Sequence, residues 1–257
     1  MTNLATYLKD QRTGTTTDLD RPDVALAVGA HPDDIEFGCG ATLARWATAG
    51  TEIHYVVCTD GSKGSWEPNR DQKELAATRE RESEEAAMVI SKSAQVTFLR
   101  NVDGNLEPDL DNRSRLAKVI RATRPDVILG HDPWKRYRIH PDHRNAGWLT
   151  TDAIVAARDP LFFPEHKLAV HRPKALLLWE ADEPDHIEEI SEYLQKKATA
   201  LLKHVSQYET TMGLKNGKVS ESEAAMLFSK ISMAAEMVGK RWGRAGLYEE
   251  FKLIEEL

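Results

Sequence analysis

The sequence predicts an α/β fold built on a mostly parallel sheet with helices on both faces. Two observations carry this. Short apolar runs recur at 24–30, 53–59, 95–99, 126–130 and 175–179, of a length and composition that suit buried strands. Between them lie longer amphipathic stretches, and a β-α-β-α-β-α-β order calls for parallel pairing with crossover helices.

The elements follow in order. VALAVGA (24–30) reads as the first strand. ATLARWATAG (41–50) reads as a helix closed by Gly50, a residue suited to a helix C-terminus. IHYVVCT (53–59) is a strand, and KELAATRERESEEAAMVI (73–90) is a helix with an apolar stripe among charges. QVTFL (95–99) is a strand, and RSRLAKVIRAT (113–123) is a helix that stops before Pro125, because the residue ahead of a proline disfavours helix. DVILG (126–130), HRNAGWLTTDAIVAAR (143–158) and ALLLW (175–179) continue the alternation, and helices are expected at 187–207 and 220–239. The reading is one domain over 1–257, with residues 1–20 as a loose Thr-rich arm and 160–257 as an extension of the same domain.

Composition narrows the function. Hydrophobic residues make up 41% of the 257, enough for a core, and the formal net charge is −7. An acidic chain has no global attraction to nucleic acid or an anionic membrane. No apolar run reaches the roughly 18 residues a bilayer span needs, and the N-terminus lacks the apolar stretch of a secretory signal. The two cysteines, Cys39 and Cys58, have no CxxC partner. A cytoplasmic location is therefore expected, with no nucleic-acid or membrane partner.

In open α/β sheets, ligands bind beyond the carboxyl ends of the strands. Three loops share that rim: AHPDDIEFGCG (30–40), DGSKGSWEP (60–68) and HDPWKRYRIHPDH (131–143). The GCG of the first loop does not make a dinucleotide fingerprint, because Leu43 stands at the last small-residue position. Asp33, Asp34 and Glu36 would also repel a pyrophosphate. Gly38 and Gly40 read better as close packing of helix on strand. The phrases HPDD (31–34) and HPDH (140–143) carry the same i, i+3 spacing. Together they offer the imidazoles and carboxylates that zinc or a similar divalent ion takes, three from the protein with one position open. If one His and one Asp of the first phrase ligate, Asp33 is left to take a proton from the attacking water. If His143 ligates, His140 can face the substrate as a protonated imidazole, held by Asp142 or Asp132. The bland alternative for either phrase alone is a helix N-cap or a structural histidine. The occurrence of both, each after an apolar strand, argues against it.

AHPDD near the N-terminus and HPDH in the middle of the chain resemble the LmbE-like, or PIG-L, de-N-acetylase family. TDGSKG (59–64), the R-x-x-E of Arg79 and Glu82, VDGNL (102–106) and RPDVILGHDP (124–133) agree, over roughly residues 24–160. HVSQY (204–208) looks like a late helix of that family. The resemblance implies a Rossmann-like, LmbE-like fold and zinc-dependent removal of an N-acetyl group from a small N-acetylglucosamine-type glycoside. It gives His31, Asp34 and His143 as metal ligands, and Asp33 as base. It gives His140 as oxyanion stabiliser and acid, with Asp142 as its partner. Arg79 and Asp103 match positions that bind sugar hydroxyls. Ile35 replaces the Glu of the commoner HPDDE. Arg138 stands where some members place a Tyr, and Tyr137 is one residue out of register.

The WKRYR loop (134–138) is locally basic. Arg136 and Arg138 are candidates for binding a phosphate, carboxylate or polyhydroxyl group of the substrate. Two other readings are a metal-dependent amidase on another amide, such as a thiol conjugate, and a non-catalytic metal- or nucleotide-binding module. A His₂Asp site also accepts iron(II) or cobalt. The C-terminal helices read as core, and a homo-oligomer is compatible with them.

Overall fold

A computed structural model describes residues 15–215 and 217–257. The five expected strands are present as β2 (Val24–Gly29), β3 (Glu52–Thr59), β4 (Gln95–Asn101), β5 (Val127–His131) and β6 (Ala175–Trp179). All pair in parallel, in the order β6-β5-β2-β3-β4. The chain moves outward from β2 to β3 and β4, then returns to place β5 on the other side of β2. The gap between the carboxyl ends of β2 and β5 is the switch point where such sheets bind ligands.

Side-chain alternation along β2 feeds two cores. Leu26 and Val28 face the layer of Leu116, Ala117 and Ile120 on α3 (Leu110–Thr123) and Leu149 and Ala153 on α4 (Pro141–Arg158). Ala25 and Ala27 face Ile35, Leu43 and Trp46 of α1 (Asp34–Thr48) and Ala86 and Ile90 of α2 (Gln72–Ile90). A period of two across a sheet buried on both faces produces this. The mostly parallel α/β sheet with helices on both faces is the fold the sequence predicts.

Three expectations need correction. The first helix begins at Asp34 rather than 41 and runs through Gly38 and Gly40, with a non-helical residue at Cys39. Gly38 is needed there: a Cβ would lie 2.5 Å from the Trp179 ring. The helix expected over 187–207 is a strand, β7 (His186–Glu189), then α5 (Leu194–Leu201) and a tight turn at Val205–Gln207 that continues into a π-turn at Tyr208–Met212. The strand forms because β8 (Tyr248–Glu255), which sequence reading missed, supplies its partner, pairing antiparallel with both β7 and β6. Between them lies α6 (Glu221–Arg241), started by a capping box of Ser220 and Glu223. Of the loose arm, residues 1–14 lie outside the described residues. The remainder is fastened: β1 (Thr16–Thr17) pairs in parallel with β7, and the Thr16 hydroxyl lies 2.7 Å from His186 Nδ1. Among the described residues no helix is long and apolar enough to cross a membrane.

Candidate active site

The HPDD phrase leaves β2 and turns at once into α1. Asp33 holds the turn at φ 111°, ψ −26°, and its side chain makes no capping bond. A non-glycine residue at such a φ costs roughly 1–3 kcal/mol and clusters at functional sites. The helix-cap reading of Asp33 is therefore replaced: its carboxylate lies 3.5 Å from the Arg79 guanidinium. HPDH enters α4 differently. Pro141 occupies the first helical turn, where its missing N–H costs nothing, and His140 sits at the N-cap position with no capping bond. Its ring remains free at the cleft.

Three donors meet at the switch point. His31 Nδ1 is 3.2 Å from His143 Nε2. Asp34 Oδ2 is 3.3 Å from His31 Nδ1, and Asp34 Oδ1 is 3.3 Å from His143 Nε2. Imidazole nitrogens and carboxylate oxygens at this spacing suit a divalent cation, and overlapping groups of the same cluster, His31 with His140 and His143, and Asp34 with His131 and His143, could also hold one.

Outer partners fix the rings. Asp142 Oδ2 lies 3.1 Å from His31 Nε2 and Asp103 Oδ1 lies 3.3 Å from the same nitrogen. They accept from Nε2 and leave Nδ1 facing Asp34 and His143, where a bound cation would take the place of the Nδ1 proton. Burial alone would push the His31 pKa down, but Asp103, Asp142 and Asp34 together raise it well above the ordinary value. Asp142 is thus not the partner of His140. It is fully buried and accepts hydrogen bonds from the Gly104 and Leu106 N–H groups as well. The protonated His140 is also not supported: burial first, and then the positive His31, lower its pKa. Asp132, the other candidate partner, accepts from the Trp134 and Asp182 N–H groups instead.

His131 is a site residue that sequence reading missed. It is the last residue of β5, and its Nε2 lies 3.2 Å from Asp34 Oδ2. Trp179 Nε1 donates to His131 Nδ1 at 3.0 Å. An indole N–H only donates, so the His131 proton is on Nε2 and points at Asp34. His131 thereby supports Asp34, and with Asp34 and His143 it also forms a donor group that could hold a metal ion. Its signal was present: a histidine closing an apolar strand on the same rim.

Charge in the cluster is uneven. Burial raises the Asp33 carboxyl to about 6 against the opposing pull of Arg79, with Asp34 adding to the rise. Burial also acts to raise Asp34, but His143 and His131 outweigh it and hold Asp34 well below the usual range. Burial pushes His143 down to about 3, so it is a neutral ring at neutral pH. Arg138 Nη1 lies 2.9 Å from His143 Nδ1. Guanidinium only donates, which leaves the ring proton on Nε2. A metal held at Nε2 would require that proton to leave Nε2, while Arg138 pairs with Glu180 as well as facing Nδ1.

Arg79, expected to bind sugar hydroxyls, is 3% exposed and donates to Gly61 O at 3.0 Å and Pro32 O at 2.5 Å. The DGSKG loop wraps it: a Cβ on Gly61 would stand 2.7 Å from Nη1, and one on Gly64 closer still. One helical turn on, Glu82 accepts from the Ser206 N–H and hydroxyl, at 2.8 and 2.6 Å. Gln207 in turn donates to Gly64 O at 3.1 Å. Arg79 and Glu82 therefore clamp the second-strand loop and the HVSQ turn into one wall. Asp103 remains at the cleft floor, where it accepts from the Lys63 N–H. Arg136 is drawn away from the cleft, and Arg138 is held behind His143. Arg136 bonds Asp182 at 2.5 Å and Arg138 pairs with Glu180. Neither is among the residues lining the two lobes of the cleft.

Those lobes meet at the cluster and share Asp34, Phe37, His143 and Thr211. The larger, about 500 Å³, holds Asp33, His140, Asp103 and Arg79, with Trp66 and Gln207 on its walls. The smaller, about 350 Å³, is floored by Phe37, Gly38 and Trp179.

A parallel sheet with a His/Asp donor cluster, a strained carboxylate and a free imidazole at its switch point defines an α/β-sheet hydrolase. The family described as PIG-L, GlcNAc-PI de-N-acetylase, matches residues 26–154, and the chain belongs to it, as a hydrolase of an amide C–N bond. Its relatives include the diacetylchitobiose deacetylase of Thermococcus kodakarensis, 31% identical over 186 residues, covering 71% of this chain and 69% of that one. The 1D-myo-inositol 2-acetamido-2-deoxy-alpha-D-glucopyranoside deacetylase of Thermobifida fusca is 31% identical over 263 residues, covering 79% of this chain and 91% of that one. The solved structure of N,N'-diacetylchitobiose deacetylase from Pyrococcus horikoshii superposes with a TM-score of 0.79 at 26% identity, covering 91% of this chain and 84% of that one.

Proposed function

We propose that the chain removes the N-acetyl group from a small, uncharged N-acetylglucosamine-type glycoside, using a divalent metal, zinc in the first instance, held by His31, Asp34 and His143. The observation that carries the reading is the convergence of His31 Nδ1, the two oxygens of the Asp34 carboxylate and His143 Nε2, with Asp33 beside them on the substrate side. A divalent ion held there supplies Lewis acidity to the amide carbonyl and acidifies a water molecule. Asp33 takes the proton of the attacking water on its carboxylate, which Arg79 keeps in place. His140 donates from its neutral ring to the developing oxyanion, the kind of preorganised donor that lowers acyl-transfer barriers most. With His140 neutral, Asp33 hands its proton on to the leaving nitrogen. Asp142 and His131 orient His31 and Asp34.

The uncharged substrate follows from the pairing of Arg136 and Arg138 with Asp182 and Glu180. Of the cations on the larger lobe, Arg79 is engaged as described, and Lys63 Nζ, which donates to the neutral Asn105 Oδ1 at 3.2 Å, keeps its charge at the exposed edge. Trp66, 69% exposed at the lobe, offers a flat face for a sugar ring. The test is primary-amine release from free, inositol-linked, malate-linked and β-1,4-linked N-acetylglucosamine, with and without a chelator. Chelator-sensitive release from an uncharged member supports the reading. Exclusive turnover of the malate conjugate refutes the uncharged substrate, and no release from any member refutes the de-N-acetylase.

A further inference from the structure

We infer that the smaller lobe is an acyl pocket, and that the enzyme accepts N-acyl chains longer than acetyl. The inference rests on the proposed de-N-acylation and adds the identity of the acyl group. An amide has two sides, and the cleft has two lobes that meet where the donor cluster lies. Hydrolysis joins the water oxygen to the acyl carbon and breaks the C–N bond, leaving a carboxylic acid and an amine that gains a proton. Asp33, which delivers that proton, and His140 line the larger lobe only. The leaving amine and its sugar must therefore occupy the larger lobe. The acyl carbon at the cluster then points its chain the other way, past Asp34 and His143.

What lies that way is larger than an acetyl methyl requires. The smaller lobe measures about 350 Å³, more than twice the roughly 150 Å³ cavity that takes up benzene. Its floor is apolar, formed by the Trp179 ring laid against Gly38, with Phe37 beside it. Trp179 is 1% exposed and is held by its bond to His131, so the floor is rigid. Of the polar groups on the lobe, His131 lies 3.2 Å from Asp34, Glu180 at the open edge pairs with Arg138, and the Thr211 hydroxyl lies 3.5 Å from that of Thr210. A short aliphatic chain finds buried apolar surface there with no polar group stripped of a partner.

The zinc-loaded protein is assayed on N-acetyl-, N-butanoyl- and N-hexanoylglucosamine. Expected is a kcat/KM for the butanoyl and hexanoyl forms equal to or above that for acetyl. A hundredfold fall from acetyl to butanoyl overturns the inference and leaves the de-N-acetylase intact. Binding of acetohydroxamate and hexanohydroxamate to the loaded protein gives a second readout that needs no turnover. At least tenfold tighter binding of the longer chain is expected from the added methylenes, and equal or weaker binding overturns the acyl pocket. If no N-acylglucosamine is hydrolysed at any length, the proposed function fails and the hydroxamate series alone decides the lobe.

Discussion

HPDD and HPDH differ by one letter, yet the fold uses them in opposite ways. In the first phrase the third residue, Asp33, is strained into the left-handed region and turned to the cleft. In the second, Asp142 sits in regular helix and is turned inward, fully buried against His31, Gly104 and Leu106. The histidines are exchanged too. His31 is locked between carboxylates, whereas His140 is exposed and carries no hydrogen bond to Asp142. On the proposed reading, one phrase provides ligands and the base, and the other a ligand, an exposed ring and a support that reaches across to brace the first. Equal spacing set on a loop before a strained turn and on a proline-started helix aims the same side chains at different targets.

Substitutions break this asymmetry in a graded order. The largest effect is expected at the shared donors. Asp34→Ala or His143→Ala should abolish zinc binding in equilibrium dialysis and lower kcat/KM at least a thousandfold. Next comes Asp33→Asn, which should keep zinc and lose 10²–10⁴-fold in kcat, the usual reach of a positioned base. With its carboxyl raised to about 6, the active form is the ionised one. The wild-type rate should therefore fall as the pH drops through about 6, and a pH–rate profile of Asp33→Asn should be flat there. His140→Ala should cost roughly 10²–10³ in kcat with zinc affinity unchanged. Asp142→Asn should behave in the reverse sense: zinc affinity falls about 10–100-fold as His31 loses its brace, and the loss in turnover recovers at saturating zinc. If Asp142→Asn instead mimicked His140→Ala, the second phrase would be working as a His–Asp pair and the asymmetry would vanish. The smallest effect belongs to Arg136→Ala. Its partner Asp182 lies outside the cleft, and KM should stay within about twofold.

Much of this was legible because the central strands are self-contained signals. A run such as ALLLW needs no distant context, and it is a strand with the same bounds, 175–179, in sequence and structure. The C-terminal region is different. IEEISEYLQKK satisfies helical periodicity, yet its first residues are strand because Tyr248–Glu255, sixty residues on, offers free pairing groups and a face of alternating Glu249, Phe251 and Leu253. No local pattern encodes that encounter. The proposed ligand set comes from the two phrases alone. The partner of Asp142, the role of His131 and the burial of Arg79 depend on which loops the sheet brings within 3 Å of one another. Charge alone does not reveal that Arg136 and Arg138 have acidic partners more than forty residues away.

The bond between Glu82 and the Ser206 turn has a consequence for how such a chain diversifies. The family match ends at residue 154, while Gln207, Thr210 and Thr211 on the far side of that bond form part of the cleft wall. The chemistry and the wall are thus written in separate stretches of the chain, joined through a carboxylate socket on α2. A segment that kept a serine at the socket and presented other side chains beyond it would change this wall and leave the HPDD and HPDH phrases untouched. The fold behaves as a fixed instrument with an exchangeable jaw.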